Sequence, residues 1–278
     1  MEHIMLNCLP VSIFGDICRG DMKVSEWASA ARDMGLDGFD ISVLFIRDRT
    51  PHGLAEFRRE LKVSGLPCLV MDLYSDFTDL RPGMYEKELV RALSDIAVAS
   101  DLGVRAVRIT AGQFHPEFPE DAQLEQAIRG ILECKPFADR VGVEMLWENH
   151  SKPGAWEHPD FNYDPVRLKK MAARLRGSGV YMNYDVANAY LIGLGPDYLK
   201  ECLPEVRCIH LNDIASKTPL RFAGLLEGSV PIRENLEVLK EAGYRGIITV
   251  EEASFGGLDG IRKYVAEAGT LLKQYGLL

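Results

Sequence analysis

The segment Val141-Gly-Val-Glu-Met-Leu-Trp-Glu148 is a short apolar run that finishes on an acid, and three later segments repeat its plan. Val180-Tyr-Met-Asn-Tyr-Asp185 ends on aspartate, Val206-Arg-Cys-Ile-His210 on histidine and Gly246-Ile-Ile-Thr-Val-Glu251 on glutamate. Short runs of this composition read as buried strands, and a longer amphipathic stretch separates each from the next. Strands laid parallel around a barrel bring their C-terminal ends to one face, where the active sites of such barrels lie. Four side chains able to hold a metal would then converge.

The same alternation extends over the whole chain. Strands are expected at residues 4–9, 38–44, 67–73, 104–110, 141–147, 180–184, 206–211 and 246–251. Helices are expected at 23–34, 52–64, 85–101, 120–139, 164–176, 197–203, 231–242 and 258–275. Eight βα units of about 35 residues predict an α/β fold, a (β/α)8 TIM barrel, as one domain over residues 1–278. Glycines such as Gly35, Gly65, Gly103 and Gly243 punctuate the helix-to-strand turns. There they close helices in the left-handed conformation. The long connections, residues 148–163 and 212–230, follow strands instead, as barrel enzymes require. An open, doubly wound parallel sheet is the alternative architecture.

Acids outnumber bases 41 to 32, a net charge of −9, which disfavours a nucleic-acid partner because phosphate contacts need a basic surface. The balance suits a small-molecule enzyme. None of the six cysteines forms a Cys-x-x-Cys pair, so buried free thiols in a reducing compartment are expected. Neither a signal peptide nor a membrane-length apolar stretch is visible, which predicts a cytoplasmic protein without membrane contact. Self-association stays open, since barrel enzymes often pair.

Three carboxylates and a histidine suit one divalent ion, Mn²⁺, Mg²⁺, Co²⁺ or Zn²⁺, without choosing among them. Without a cation, such carboxylates repel and take up protons. Each residue alone has a plainer reading: a strand-end acid often caps a helix, and a buried histidine is often merely satisfied. Four together weaken that reading. Glu252 rivals Glu251, because strand register is not fixed by a run this short.

The segments Leu146-Trp-Glu-Asn-His150, Asn183-Tyr-Asp-Val-Ala-Asn188, Ile209-His-Leu-Asn-Asp213 and Thr249-Val-Glu251 resemble the xylose isomerase-like barrels. Gly224-Leu-Leu-Glu-Gly-Ser229 loosely resembles the family's glycine-glutamate-glycine turn. The resemblance implies that Glu148, Asp185, His210 and Glu251 hold one metal, and it favours Glu251 over Glu252. It also implies that Glu148 and Glu251 are the acid–base pair of a sugar isomerase or epimerase. The metal would bind a carbonyl and a neighbouring hydroxyl, and one glutamate would remove a proton that the other returns. Arg221 falls where several epimerases hold a substrate oxygen, although a solvated loop arginine reads as well. His150 either touches substrate or is an ordinary loop histidine. Asp213 and Asn183 are candidates to orient His210 and its neighbours.

One position departs from the family. Many relatives carry Asp-x-x-His on the sixth strand, whereas this chain has Asp185-Val-Ala-Asn188. Asn188 can bind a sugar hydroxyl but is a poor metal ligand and no proton carrier. The three-zinc nucleases of the family need that histidine and others, which His115 alone does not replace. A metal-dependent lyase or dehydratase of a keto-sugar or inosose becomes the competing activity, and a non-catalytic sugar- or protein-binding barrel is a third reading. Phe14, Trp147, Trp156 and Phe222 are candidate pocket walls. Ser254-Phe-Gly-Gly257 is a weaker candidate for an anion, and Lys152 and Lys217 stand in loops without the marks of a Schiff-base lysine.

Overall fold

The computed structural model describes residues 3–151, 156–253 and 255–278. Eight parallel strands form its centre: β1 (Met5–Pro10), β2 (Phe39–Ser42), β3 (Cys68–Asp72), β4 (Ala106–Ile109), β5 (Glu144–Glu148), β6 (Tyr181–Asp185), β7 (Val206–Leu211) and β10 (Ile247–Glu252). Their order is β1-β10-β7-β6-β5-β4-β3-β2, so β1 and β2 meet as the two edges of a nearly closed barrel. Side chains help to stitch that seam. Leu6 N–H donates to Asp37 Oδ2 at 2.8 Å, and Asn7 Nδ2 donates to Asp40 Oδ1 at 2.5 Å.

All eight expected strands form, with shifted ends. The expected strand at 141–147 begins at Glu144, because α5 (Glu120–Val141) runs past residue 139 and closes on Gly142 at φ 73°. The expected helices appear as α2 (Val24–Asp33), α3 (Pro51–Leu61), α4 (Met84–Leu102), α5, α6 (Pro165–Leu175), α8 (Pro196–Cys202), α9 (Ile232–Glu241) and α10 (Gly257–Gln274). Two short helices are additional, α1 (Phe14–Arg19) after β1 and α7 (Val186–Leu191) after β6. The long connection after β7 is no simple loop: β8 (Asp213–Lys217) and β9 (Leu220–Ala223) pair there as an antiparallel hairpin.

The main core lies between the strands and the helices. Inside the barrel, Val70, Ala106, Leu146, Cys208 and Ile247 belong to a separate small apolar cluster. Alternation along each strand puts residues two positions further on the same side. Those residues are Asp72, Arg108, Glu148, His210 and Thr249, so the barrel interior changes from apolar to polar toward its C-terminal face. All six cysteines are free and all but Cys18 are buried. No helix among the described residues is long and apolar enough to cross a membrane.

Candidate active site

Glu148, Asp185 and His210 are fully buried, and each offers a ligand atom within 4.8 Å of the other two. Glu148 Oε1 is 3.4 Å from His210 Nδ1. Glu251 joins from the neighbouring strand, with Oε2 3.6 Å from His210 Nδ1. The structure therefore brings all four sequence candidates to one place, three of them tightly. Glu252 is fully buried and, by strand alternation, points to the side opposite Glu251.

The segments around each of these side chains explain its placement. Asn149 ties the ends of β5 and β6 together: its Oδ1 accepts from Asp185 N–H at 2.7 Å and its Nδ2 donates to Asp185 O at 2.9 Å. Asp185 is also the cap of α7, with Oδ1 accepting from Asn188 N–H at 2.7 Å. The capping reading of a strand-end acid therefore holds for Asp185 Oδ1. Asn212 Nδ2 bridges Asp185 Oδ2 at 3.1 Å and Glu251 Oε2 at 2.5 Å.

Sequence reading missed the cation at this site. Arg108 on β4 is buried, and its Nε lies 3.0 Å from both Asp72 Oδ1 and Glu148 Oε2. A charged residue between Val107 and Ile109 in an apolar run was the available signal. Burial alone would push Glu148 up. Arg108 and then His210 outweigh it and hold the carboxyl at about 2. Burial disfavours a charged His210, but contacts with Cys208, Glu148 and Glu251 raise it well above its ordinary value.

The residues fit a divalent ion on their own chemistry. Neither nitrogen of His210 has a hydrogen-bond partner among the described residues, although the side chain is fully buried. Buried polar atoms left in this state call for an absent partner. An imidazole nitrogen with carboxylate oxygens is a donor set for Zn²⁺, Mn²⁺ or Co²⁺.

The other candidates are distributed differently. Asn188 Nδ2 donates to Glu148 Oε1 at 3.4 Å, a long bond beside the cluster. His150 Nδ1 pairs with Asp160 Oδ1 at 2.8 Å, an oxygen that also accepts from Trp156 Nε1 at 2.8 Å. Burial opposes a charge on His150, and Asp160 reverses this and raises its pKa. Arg221 is exposed on β9.

Three expectations are corrected. Asp213 does not orient His210; its carboxylate accepts from Ile214, Gly228 and Val230 N–H groups at 2.8–3.0 Å and anchors the turn after the hairpin. Gly228 is needed there because a Cβ would meet Asp213 Oδ1 at 2.2 Å. Asn183 is buried in the barrel with neither amide atom hydrogen-bonded, so it too orients nothing. Trp147 faces outward against Ala172 and Leu175 of α6, as alternation next to inward Glu148 requires.

Phe14 packs edge-on against Phe45, and half-buried Phe222 meets exposed Phe255. His115 is a strut, 3.2 Å from Asp76 Oδ2 and bonded through its backbone to Gln123. Lys217 donates to Tyr190 O at 2.6 Å. Lys152 and Ser254 lie outside the described residues.

Solved structures of similar architecture cover nearly the whole chain. An L-ribulose 3-epimerase superposes with a TM-score of 0.79 at 12% identity, over 98% of this chain and 95% of its own. The probable 3-DHS dehydratase AsbF of Bacillus anthracis gives 0.72 at 14% identity, over 98% and 99%. The IOLI protein with a binding zinc atom gives 0.71 at 14% identity, over 98% and 96%. At such identities these likenesses show the fold, and no curated protein matches by sequence. The family model described as xylose isomerase-like TIM barrel matches residues 28–274, and the chain belongs to that family.

Proposed function

We propose that the protein is a divalent-metal-dependent isomerase or epimerase of a sugar or related polyol ketone. The observation that carries this reading is the buried Glu148–Asp185–His210 trio with Glu251 beside it. Glu148, Asp185, His210 and Glu251 would hold the ion. Bound there, it would polarise a substrate carbonyl and offset the charge that develops when the adjacent C–H loses its proton.

The chain's own groups do the rest. Glu251 is the less buried of the two glutamates, its side chain 15% exposed against 1% for Glu148, so it stands nearer the mouth. Its partner Asn212 is a neutral amide that orients the carboxylate without neutralising it. Glu251 is therefore assigned removal of the proton and, in an isomerase, its return to the adjacent carbon; Arg108 keeps Glu148 ionised, so in an epimerase Glu148 returns a proton only after taking one up. Asn188 and His150 are assigned to substrate hydroxyls, and Arg221, exposed on β9, to a substrate oxygen.

Glu148→Gln and Glu251→Gln should each lower turnover by at least about a hundredfold while the fold is kept. Ketoses offered in D₂O and followed by NMR provide the assay, and full exchange in either variant sinks the proposal.

A dehydratase is the second reading, favoured by the His150–Asp160 pair. With Nδ1 held by Asp160, His150 has its other nitrogen for a departing hydroxyl, a role that Asn188 cannot fill. Loss of water from substrate, instead of C–H exchange alone, would select it.

A further inference from the structure

The two glutamates of the site are held by different kinds of partner. Glu251 and Asp185 share the neutral amide of Asn212. Glu148 Oε2 lies 3.0 Å from Arg108 Nε, an ion pair without a hydrogen bond because the single Nε–H is given to Asp72 Oδ1, while Oε1 is turned toward His210 and accepts from Asn188 Nδ2 at 3.4 Å. Arg108 is itself fixed on every side. Its Nε reaches Asp72 Oδ1 at 3.0 Å, its Nη1 donates to Leu73 O at 3.2 Å, and its guanidinium lies 5.0 Å from the Tyr74 ring. The side chain is 3% exposed. A buried ion pair of this kind is a weak source of stability, because desolvating both charges offsets most of their attraction. What it supplies is a fixed positive charge: a guanidinium held by Asp72 and Leu73 attracts the carboxylate oxygen that faces it and excludes a second cation from that side.

We infer that Arg108, braced by Asp72, is a positioning residue that reserves Glu148 Oε2 and so presents only Oε1 to the metal. A glutamate left to itself can close on an ion with both oxygens, which fills a position that substrate needs. The metal would then keep an open side toward the mouth of the barrel. This inference rests on the metal reading above.

The test uses Co²⁺ as a probe, since its visible absorption reports coordination number without any substrate. The unsubstituted protein, Arg108→Met, Arg108→Lys and Asp72→Asn would each be titrated with Co²⁺. Arg108→Met should lose d–d intensity and shift to shorter wavelength, because Glu148 closes with both oxygens and the coordination number rises. Arg108→Lys, which keeps a cation near Oε2, should recover part of the original spectrum. Asp72→Asn, which only loosens the brace, should move the spectrum the same way by less. It also decides the matter if Arg108→Met does not fold. Superposable spectra for all four proteins overturn the role of Arg108. Failure of the unsubstituted protein to bind Co²⁺ overturns the metal reading, and this inference with it.

Discussion

Two layers of polar side chains lie one above the other inside the barrel, and they are finished to different degrees. In the lower layer Asn7, Asp40 and Thr249 bond to each other. Asp40 Oδ1 accepts from Asn7 and from Val70 N–H, and its Oδ2 accepts from Thr249 Oγ1 at 3.0 Å. Among these three side chains only Asn7 Oδ1 is left without a partner. In the upper layer both nitrogens of His210 and Oδ1 of Asn188 and Asn212 lack partners among the described residues. Both layers are buried, polar and acidic, so composition alone does not distinguish a structural network from a binding site. Satisfaction does. A closed network rigidifies, and an open one waits for a ligand.

The largest expected difference between the layers is therefore their response to a divalent ion. A metal at about a hundredfold excess over its Kd should stabilise the protein by roughly 2.7 kcal/mol. For a domain of this size that raises Tm by about 5 °C. His210→Ala or Asp185→Ala should abolish the shift, and Asp40→Asn should leave most of it. Thermal scans with Mn²⁺, Co²⁺ and Zn²⁺ measure it. Equal loss in Asp40→Asn would mean that the layers act as one site.

Much of the upper layer was legible in the sequence because each of the four candidate residues lies at or next to the end of a strand, and strand ends are the best-defined places in a βα repeat. Asp185 and His210 needed only that reading. Arg108 and Asp40 sit inside short apolar runs, where the face a residue takes depends on register with neighbours. Asp40 meets Thr249 across 209 positions of chain, and no local pattern announces such a pair. The hairpin of Asp213–Lys217 and Leu220–Ala223 was hidden for a related reason. Its strands are short and half exposed, so they carry little of the apolar signal that reveals a strand. Trp147 shows the cost of ignoring alternation: beside an inward Glu148 it had to face the helices.

The second difference concerns pH. Burial, with Asp72 nearby, raises Asp40 from 3.8 to about 7. Between those values the folded state keeps a proton that the unfolded chain has released, so stability falls as pH rises through that window. The loss is complete above about pH 7 and amounts to a few kcal/mol. Asp40→Asn removes it. The variant should be more stable than the parent at pH 8 in the absence of metal, by an amount that shrinks toward pH 4. Its amide nitrogen can face Thr249, whose hydroxyl turns to accept. Urea midpoints at the two pH values give the comparison, and a difference independent of pH would show that Asp40 is ionised throughout.

The smallest effect gives the cleanest separation of the layers. Thr249 lies two residues before Glu251 on β10, on the same inward side and one layer lower. Thr249→Val keeps the shape and removes the hydroxyl that donates to Asp40 and accepts from Asn7 Nδ2 at 3.0 Å. The cost should be about 1–2 kcal/mol, the size of a lost hydrogen bond to a buried acceptor. Bonds to a charged acceptor are stronger than bonds to a neutral one. The same change made in the Asp40→Asn background should therefore cost less, and a double-mutant cycle at pH 8 isolates the coupling. The metal-induced rise in Tm should be the same in all four proteins. If Thr249→Val also reduced that rise, the closed layer would be setting the position of Glu251, and the boundary between scaffold and site would move down by one residue pair.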